Sequence, residues 1–174
     1  MPTFDASAAE CHVFTFKEGL LSKVAHDLKL EVKEFEVQFD EASISARFDA
    51  ASFGVVCVMK RGQPKPGTLK DKDKSDILQY LAQDVLQVHR YPEITFQSTE
   101  VTRIGSSVRV AGMLDLHGQK RRLSVLASSE GGRLVARVKV HQPDFGIKPF
   151  KALLGAIKVK PDVEVVLSIP APQA

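Results

Sequence analysis

The sequence predicts a mainly β domain: antiparallel strands with one α-helix, in a sheet that must close into a barrel or stack on itself. Two observations carry this expectation. Nearly every regular stretch alternates apolar and polar residues with period two, the mark of strands with one buried face. One segment alone, residues 75–90, spaces its apolar residues by three and four and ends at Tyr91-Pro92. Open strand edges invite aggregation, so closure is the expected solution. A closed barrel built from 174 residues is large enough to enclose a cavity.

Residues 12–17 read as the first strand, with Phe14 and Phe16 on one face and Val13 and Thr15 on the other. A clearer strand follows, in which Leu28, Leu30 and Val32 alternate with Lys29, Glu31 and Lys33. Beyond Glu34 the apolar frame slips by one residue, to Phe35, Val37 and Phe39. Such a slip would turn every side chain to the opposite face, so a bulge or tight bend is expected near Lys33-Glu34. Ile44, Ala46 and Phe48 alternate next. The apolar run 53–59 reads as a strand buried on both sides. Residues 60–73, with Gly62, Pro64, Pro66 and Gly67, form the longest irregular stretch, read as a solvated connector or a functional loop.

The helix is expected to start at Ser75 as N-cap, with Asp76 facing the positive end of its dipole. Ile77, Leu78, Leu81, Val85 and Val88 make one apolar stripe, which lies against the sheet or caps an opening. Pro92 displaces Tyr91 from helical geometry and ends the helix near Arg90. Strands then follow in succession. Val108, Val110, Gly112, Leu114 and Leu116 form a long one, turned at residues 117–120 into the return strand of Leu123, Val125 and Ala127. Gly131-Gly132 is a second turn, before the alternation of Leu134, Ala136, Val138 and Val140. Residues 149–154 read as a single helical turn with proline early and Gly155 after it. Val163, Val165, Leu167 and Ile169 close the last strand.

Composition narrows the function classes. Hydrophobic residues make up 44% and charged residues 26%, which suits one soluble domain spanning residues 1–174. The net charge is only +3, with Lys and Arg spread along the chain beside Asp and Glu, so nucleic-acid binding is not expected. No apolar run approaches ~20 residues, so stable membrane insertion is not expected either. The N-terminal residues lack the pattern of a secretory signal, which predicts a cytoplasmic protein, or a periplasmic one if a leader has been removed. Cys11 and Cys57 form no CxxC pair, and Cys57 reads as a packed small hydrophobe. A disulfide between them stays open, although a reducing compartment disfavours it.

No enzyme signature emerges. His12, His26, His89, His117 and His141 show no metal-ligand spacing, so neither a metal nor a cofactor is expected. A Ser22–His26–Asp27 arrangement is poorly built, because adjacent strand residues point to opposite faces. His117 reads as a turn residue. Asp144-Phe145-Gly146 matches a kinase motif by letters only, without its companion motifs. What remains is an apolar surplus that includes Phe14, Phe16, Leu30, Phe39, Phe96 and Leu114. In a small barrel such residues either fill the centre or line a cavity, and alternation alone does not separate the two.

Four segments carry a resemblance. Val24-Ala25-His26-Asp27-Leu28, Tyr91-Pro92-Glu93-Ile94-Thr95-Phe96-Gln97-Ser98, Gly112-Met113-Leu114-Asp115-Leu116-His117-Gly118 and Asp144-Phe145-Gly146-Ile147 occur in this order. In that order the chain resembles the YceI-like family over about its whole length. The resemblance implies a closed, lipocalin-like antiparallel β-barrel with an accompanying helix. It also implies an apolar cavity for a long-chain amphiphile: a polyisoprenoid, an isoprenoid quinone or a fatty-acyl lipid. The ligand's headgroup would sit near the mouth, by residues 60–73. No catalytic or metal-binding residue is carried over.

The leading expectation is therefore a non-catalytic lipid- or isoprenoid-binding barrel lined by Phe14, Phe16, Leu30, Phe39, Phe96 and Leu114. The alternative is a protein–protein interaction module with a solidly packed barrel and functional loops. A homodimer is compatible with either. A third reading is a hydrolase or isomerase centred on His26.

Overall fold

The computed structural model describes residues 2–18, 26–40, 42–152 and 157–171. Fourteen strands are present among them. They run β1 (Thr3–Asp5), β2 (Glu10–Thr15), β3 (Asp27–Val32), β4 (Phe35–Phe39), β5 (Ile44–Asp49), β6 (Phe53–Lys60), β7 (Gln63–Lys65), β8 (Glu93–Ile104), β9 (Ser107–Leu116), β10 (Gln119–Glu130), β11 (Arg133–His141), β12 (Lys151–Ala152), β13 (Ile157–Lys158) and β14 (Asp162–Pro170). Helix α1 (Asp71–Tyr80) continues into a π-helical turn, Leu81–Val85. Strands β12 and β13 form a separate two-stranded ladder. The other twelve form one antiparallel sheet in the order β1-β4-β5-β8-β9-β10-β11-β14-β2-β3-β6-β7.

That sheet curls into a half-barrel but does not close by hydrogen bonding, since its edges stand 24 Å apart. The closed barrel expected from the sequence is corrected here, and the frame slip supplies the physical reason. Strands β3–β4 and β5–β6 make one long hairpin, interrupted at Lys33-Glu34 and at Ala50-Ala51-Ser52. Its β4/β5 half joins β8, whereas its β3/β6 half joins β2, so the two halves serve opposite ends of the strand order. The interruption is pinned by Lys33 N–H donating to the Ser52 carbonyl and Asp49 N–H to the Glu34 carbonyl, both at 2.9 Å. The bend expected at Lys33-Glu34 is thus present, and it ties the ends of the ladder covalently instead of by a last pair of strands.

The strongest local expectation, the hairpin of β9 and β10, is formed in full, from Leu116 opposite Gln119 to Val108 opposite Ala127. Its two-residue turn holds His117 at φ 55° and Gly118 at φ 74°, the geometry that follows strand twist. The apolar run 53–59 owes its lack of alternation to a bulge: Lys29 pairs with Cys57 and Leu30 with Val55, leaving Val56 over.

Three boundaries differ from expectation. Helix α1 starts at Asp71 with Lys70 as N-cap, not at Ser75, and the Asp73 carboxylate accepts the Lys70 N–H at 3.0 Å. The regular helix also ends early, at Tyr80. Beyond it Leu86 N–H reaches back five residues to the Leu81 carbonyl and Val88 N–H six to that of Ala82. The connector 60–73 contains β7 and the first helical residues. In place of a helical turn at 149–154, Lys151 and Ala152 are strand; the rest of that expectation, from Leu153 to Gly155, lies outside the described residues, as do Ser22, Val24 and Ala25.

Inside the curl lie two packed clusters. One gathers Cys11, Val32, Val37, Phe39, Val108, Val110, Leu134 and Ile169; the other gathers Leu86, Leu114, Leu116, Val140, Phe145 and Ile147. Phe53, Phe96 and Val165 touch both. Gly112 fixes Phe96 in this position, because a Cβ at Gly112 would meet Phe96 Cζ at 2.6 Å and the Ser98 Cα at 2.8 Å. Gly112→Ala is therefore expected to cost about 1–3 kcal/mol of unfolding free energy, as overpacking against a rigid neighbour does. Urea denaturation of wild type and variant checks this, and an unchanged midpoint would show that β8 yields freely.

Candidate apolar-ligand site

The two clusters leave between them a cavity of about 780 Å³, bounded by inward-facing side chains of nearly every long strand. Voids in packed cores are rarely larger than a water molecule, so this space is a pocket and not a packing defect. The alternating sets read from the sequence supply its walls: Ile44, Ala46 and Phe48 from β5, Leu123, Val125 and Ala127 from β10, and the valine-rich face of β14. Its remaining wall is helical. Ile77, Leu81 and Val85, four residues apart, face the space together with Tyr80 and Leu86. Three of the five residues of the expected stripe thus cover a hollow interior, while Leu78 and Val88 are not in its wall.

Of the six expected lining residues, Leu30, Phe39, Phe96 and Leu114 are placed in the wall. Phe14 and Phe16 are not, and that part of the assignment is corrected: β2 turns Cys11, Val13 and Thr15 inward. The reason is register. Val13 lies opposite Leu30 and Thr15 opposite Leu28, and directly paired residues share a face. Phe14, opposite Lys29, is on the outer face, with the Lys29 ammonium 5.9 Å from its ring centroid.

The mouth can be located from exposure. Among the described lining residues only Thr68, Asp73, Asp76, Tyr80 and Lys158 are exposed. Tyr80, half exposed at 50%, meets the Phe150 ring at a centroid distance of 5.2 Å, so the helix and the segment after Ile147 border one opening. His26 also lines the cavity, but the Asp27 carboxylate is turned to the Lys17 N–H, at 2.7 Å. The two do not form a pair. No group of three or more potential metal ligands gathers among the described residues.

The other segments that carry the family resemblance converge on His117. Its Nδ1 is 3.1 Å from the Phe145 carbonyl and its Nε2 is 2.9 Å from the Gln87 side-chain amide. The Tyr91 ring packs 4.4 Å away, and a Cβ at Gly118 would strike that ring at 2.7 Å. His117 is thus more than a turn residue: it ties the β9–β10 turn to the end of the helix and to the Gln142–Phe145 turn. These segments tie together the end of the sheet where β9 turns into β10.

The sequence matches the YceI-like domain over residues 3–171. The chain belongs to the YceI-like family. Solved structures agree on its fold. It is similar to Burkholderia cenocepacia BcnA, with a TM-score of 0.63 and 19% identity over 94% of this chain and 96% of that one. It is similar to a polyisoprenoid binding domain from Saccharophagus degradans implicated in plant cell wall breakdown, with a TM-score of 0.61 and 12% identity over 98% and 97%. The Campylobacter jejuni YceI protein gives a TM-score of 0.62 and 15% identity over 91% of both chains. Among curated proteins none matches the sequence significantly.

Both cysteines of this YceI-like domain are free thiols. Burial against the cavity wall pushes the Cys11 thiol up to about 12, from an ordinary 9.0. The folded state therefore holds this proton more tightly than the unfolded chain, so stability falls as pH rises above about 9, by about 1.4 kcal/mol per pH unit, until the folded thiol itself ionises. Denaturation of wild type and Cys11→Ala between pH 8 and 11 isolates this contribution from that of the lysines. The wild type is expected to lose stability faster, and parallel curves would show that the thiol is not sealed in.

Proposed function

We propose that this YceI-like domain binds a long-chain amphiphile, a polyisoprenoid, isoprenoid quinone or fatty-acyl lipid, and carries it without chemical change. The single observation that supports this reading is the cavity: about 780 Å³ and walled almost wholly by aliphatic and aromatic side chains. Pockets for apolar small molecules fall in the same range, roughly 300–1,000 Å³. The Saccharophagus degradans relative, named a polyisoprenoid binding domain, points to the same ligand class. The solid-barrel interaction module is less well supported, because the space it requires to be filled is open.

The energetics favour a reversible carrier. Burying about twelve methylenes at ~0.8 kcal/mol each gives roughly 10 kcal/mol. Association costs about 4–15 kcal/mol, so the net affinity is moderate unless the headgroup adds to it. Polar groups are available for that at the mouth, where Thr68, Asp76, Tyr80 and Lys158 reach the opening. In this reading Leu30, Phe39, Phe96 and Leu114 grip the chain, joined by Ile77, Leu81 and Val85 of the helix.

Mass spectrometry of solvent extracts from protein purified without detergent tests the proposal, with a stoichiometric long-chain amphiphile as the expected result. Leu114→Gln is expected to lower uptake of an apolar fluorescent probe at least tenfold, by placing an unpaired amide in the wall. Ala136→Phe, which fills space without a polar group, should do the same in a folded protein. An empty extract together with no probe uptake by wild type would favour the interaction module.

A further inference from the structure

We infer that the mouth of the cavity is a docking surface for an anionic lipid bilayer. Two chain stretches supply the rim of the opening, Thr68, Asp73, Asp76 and Tyr80 from one and Phe150 and Lys158 from the other. The residues around these, 60–76, 148–152 and 157–160, hold ten Lys and Arg against three Asp, in a chain whose net charge is only +3. The rest of the molecule is therefore net acidic.

The arrangement of these cations calls for an external anion. Lys151 lies directly opposite Lys158 in the β12–β13 ladder, a like-charge pair that destabilises a strand pairing when nothing neutralises it. Lys65, Lys70, Lys72, Lys148, Lys151, Lys158 and Lys160 are all exposed. None of them forms an ion pair with a carboxylate among the described residues. Of the three aspartates, Asp73 is engaged with the Lys70 N–H.

Tyr80 distinguishes a bilayer from other anionic partners. It is half exposed at the rim, with an apolar body against Phe150 and a polar tip, the character of side chains that settle at a membrane interface. An apolar pocket opening beside these lysine-rich stretches has no use on a nucleic acid. On a bilayer it lets an acyl or prenyl chain pass between membrane and cavity without crossing water. That purpose rests on the carrier reading above; the docking itself does not.

Vesicle co-sedimentation tests the inference, using pure phosphatidylcholine and phosphatidylcholine with one third phosphatidylglycerol. Each basic residue near an anionic surface contributes about fivefold in partitioning, so the double variant Lys148→Gln/Lys151→Gln should bind the anionic vesicles about 25-fold more weakly. Wild-type binding should be confined to the anionic vesicles and be lost at about 0.5 M salt. Neither substituted residue lines the cavity, so uptake of the apolar probe in solution should be unchanged. Equal binding to both vesicle types, or none to either, overturns the docking surface and leaves the carrier reading standing if the probe still loads. Anionic-vesicle binding without probe uptake does the reverse. Salt-sensitive binding to polyglutamate without vesicle binding also overturns it, in favour of an acidic protein partner.

Discussion

Two backbone hydrogen bonds, Lys33 to Ser52 and Asp49 to Glu34, hold the corner on which the cavity depends. At this corner one hairpin changes its neighbours, passing from β2 on one side to β8 on the other. Without the corner the frame slip between Val32 and Phe35 would send either Leu30 and Val32 or Val37 and Phe39 to the outside. With it, both sets face inward. Ser52 reinforces the corner: its hydroxyl donates to the Asp49 carbonyl at 2.8 Å and accepts the Glu34 N–H at 3.0 Å. Ala50 N–H donates to the Pro92 carbonyl at 2.9 Å, which links the corner to the start of β8. The curvature of the sheet, and so the volume it surrounds, follows from where two residues leave the ladder.

Much of this was legible in the sequence because strand parity is a local signal. The faces of β4, β5, β9, β10, β11 and β14 can be read from alternation, and their apolar sets are the ones that line the cavity. Parity failed at β2, where both faces carry apolar residues and the larger pair, Phe14 and Phe16, suggested the interior. There the decision belongs to the partner strand. Pairing Val13 with Leu30 overrides side-chain size and also sets Thr15 inward, its hydroxyl buried without a partner among the described residues. An orphan hydroxyl costs about 1–3 kcal/mol, less than misaligning a strand between two neighbours. The helix start was misplaced for a related reason: Lys70 is a poor capping residue, and the signal lies in Asp73, three positions on, which bonds back to it.

Other features were beyond any local reading. Sheet closure depends on how far the two edges travel in space, and the frame slip marks the corner without fixing that distance. The convergence of Tyr80 and Phe150 at one opening arises from the helix crossing toward Phe150, a contact between segments remote in sequence. The segments that mark the family also served a purpose different from the one their polar residues suggest. His117, Tyr91 and the Phe145 carbonyl meet to fix the β9–β10 turn against the segments beside it, and none of those contacts requires a substrate.

The size of the cavity constrains how the molecule can use it. Cavities left by truncating core residues cost about 24 cal/mol per Å³. At about 780 Å³ that scale gives roughly 19 kcal/mol, more than the roughly 5–15 kcal/mol by which a domain is usually stable. A sealed, dry space of this size would therefore be untenable, and the pocket is instead open at its mouth. The backbone ladder can hold the walls apart, because its stability does not need side chains to meet across the middle. The contents must then enter from outside, and the exposed lining residues place the entrance between Tyr80 and Lys158. Water entering there would wet an apolar wall at a cost that an amphiphile's chain removes. Hollow interior, helical wall and accessible mouth thus form one arrangement, and in the carrier proposed above the chain of a lipid completes its core.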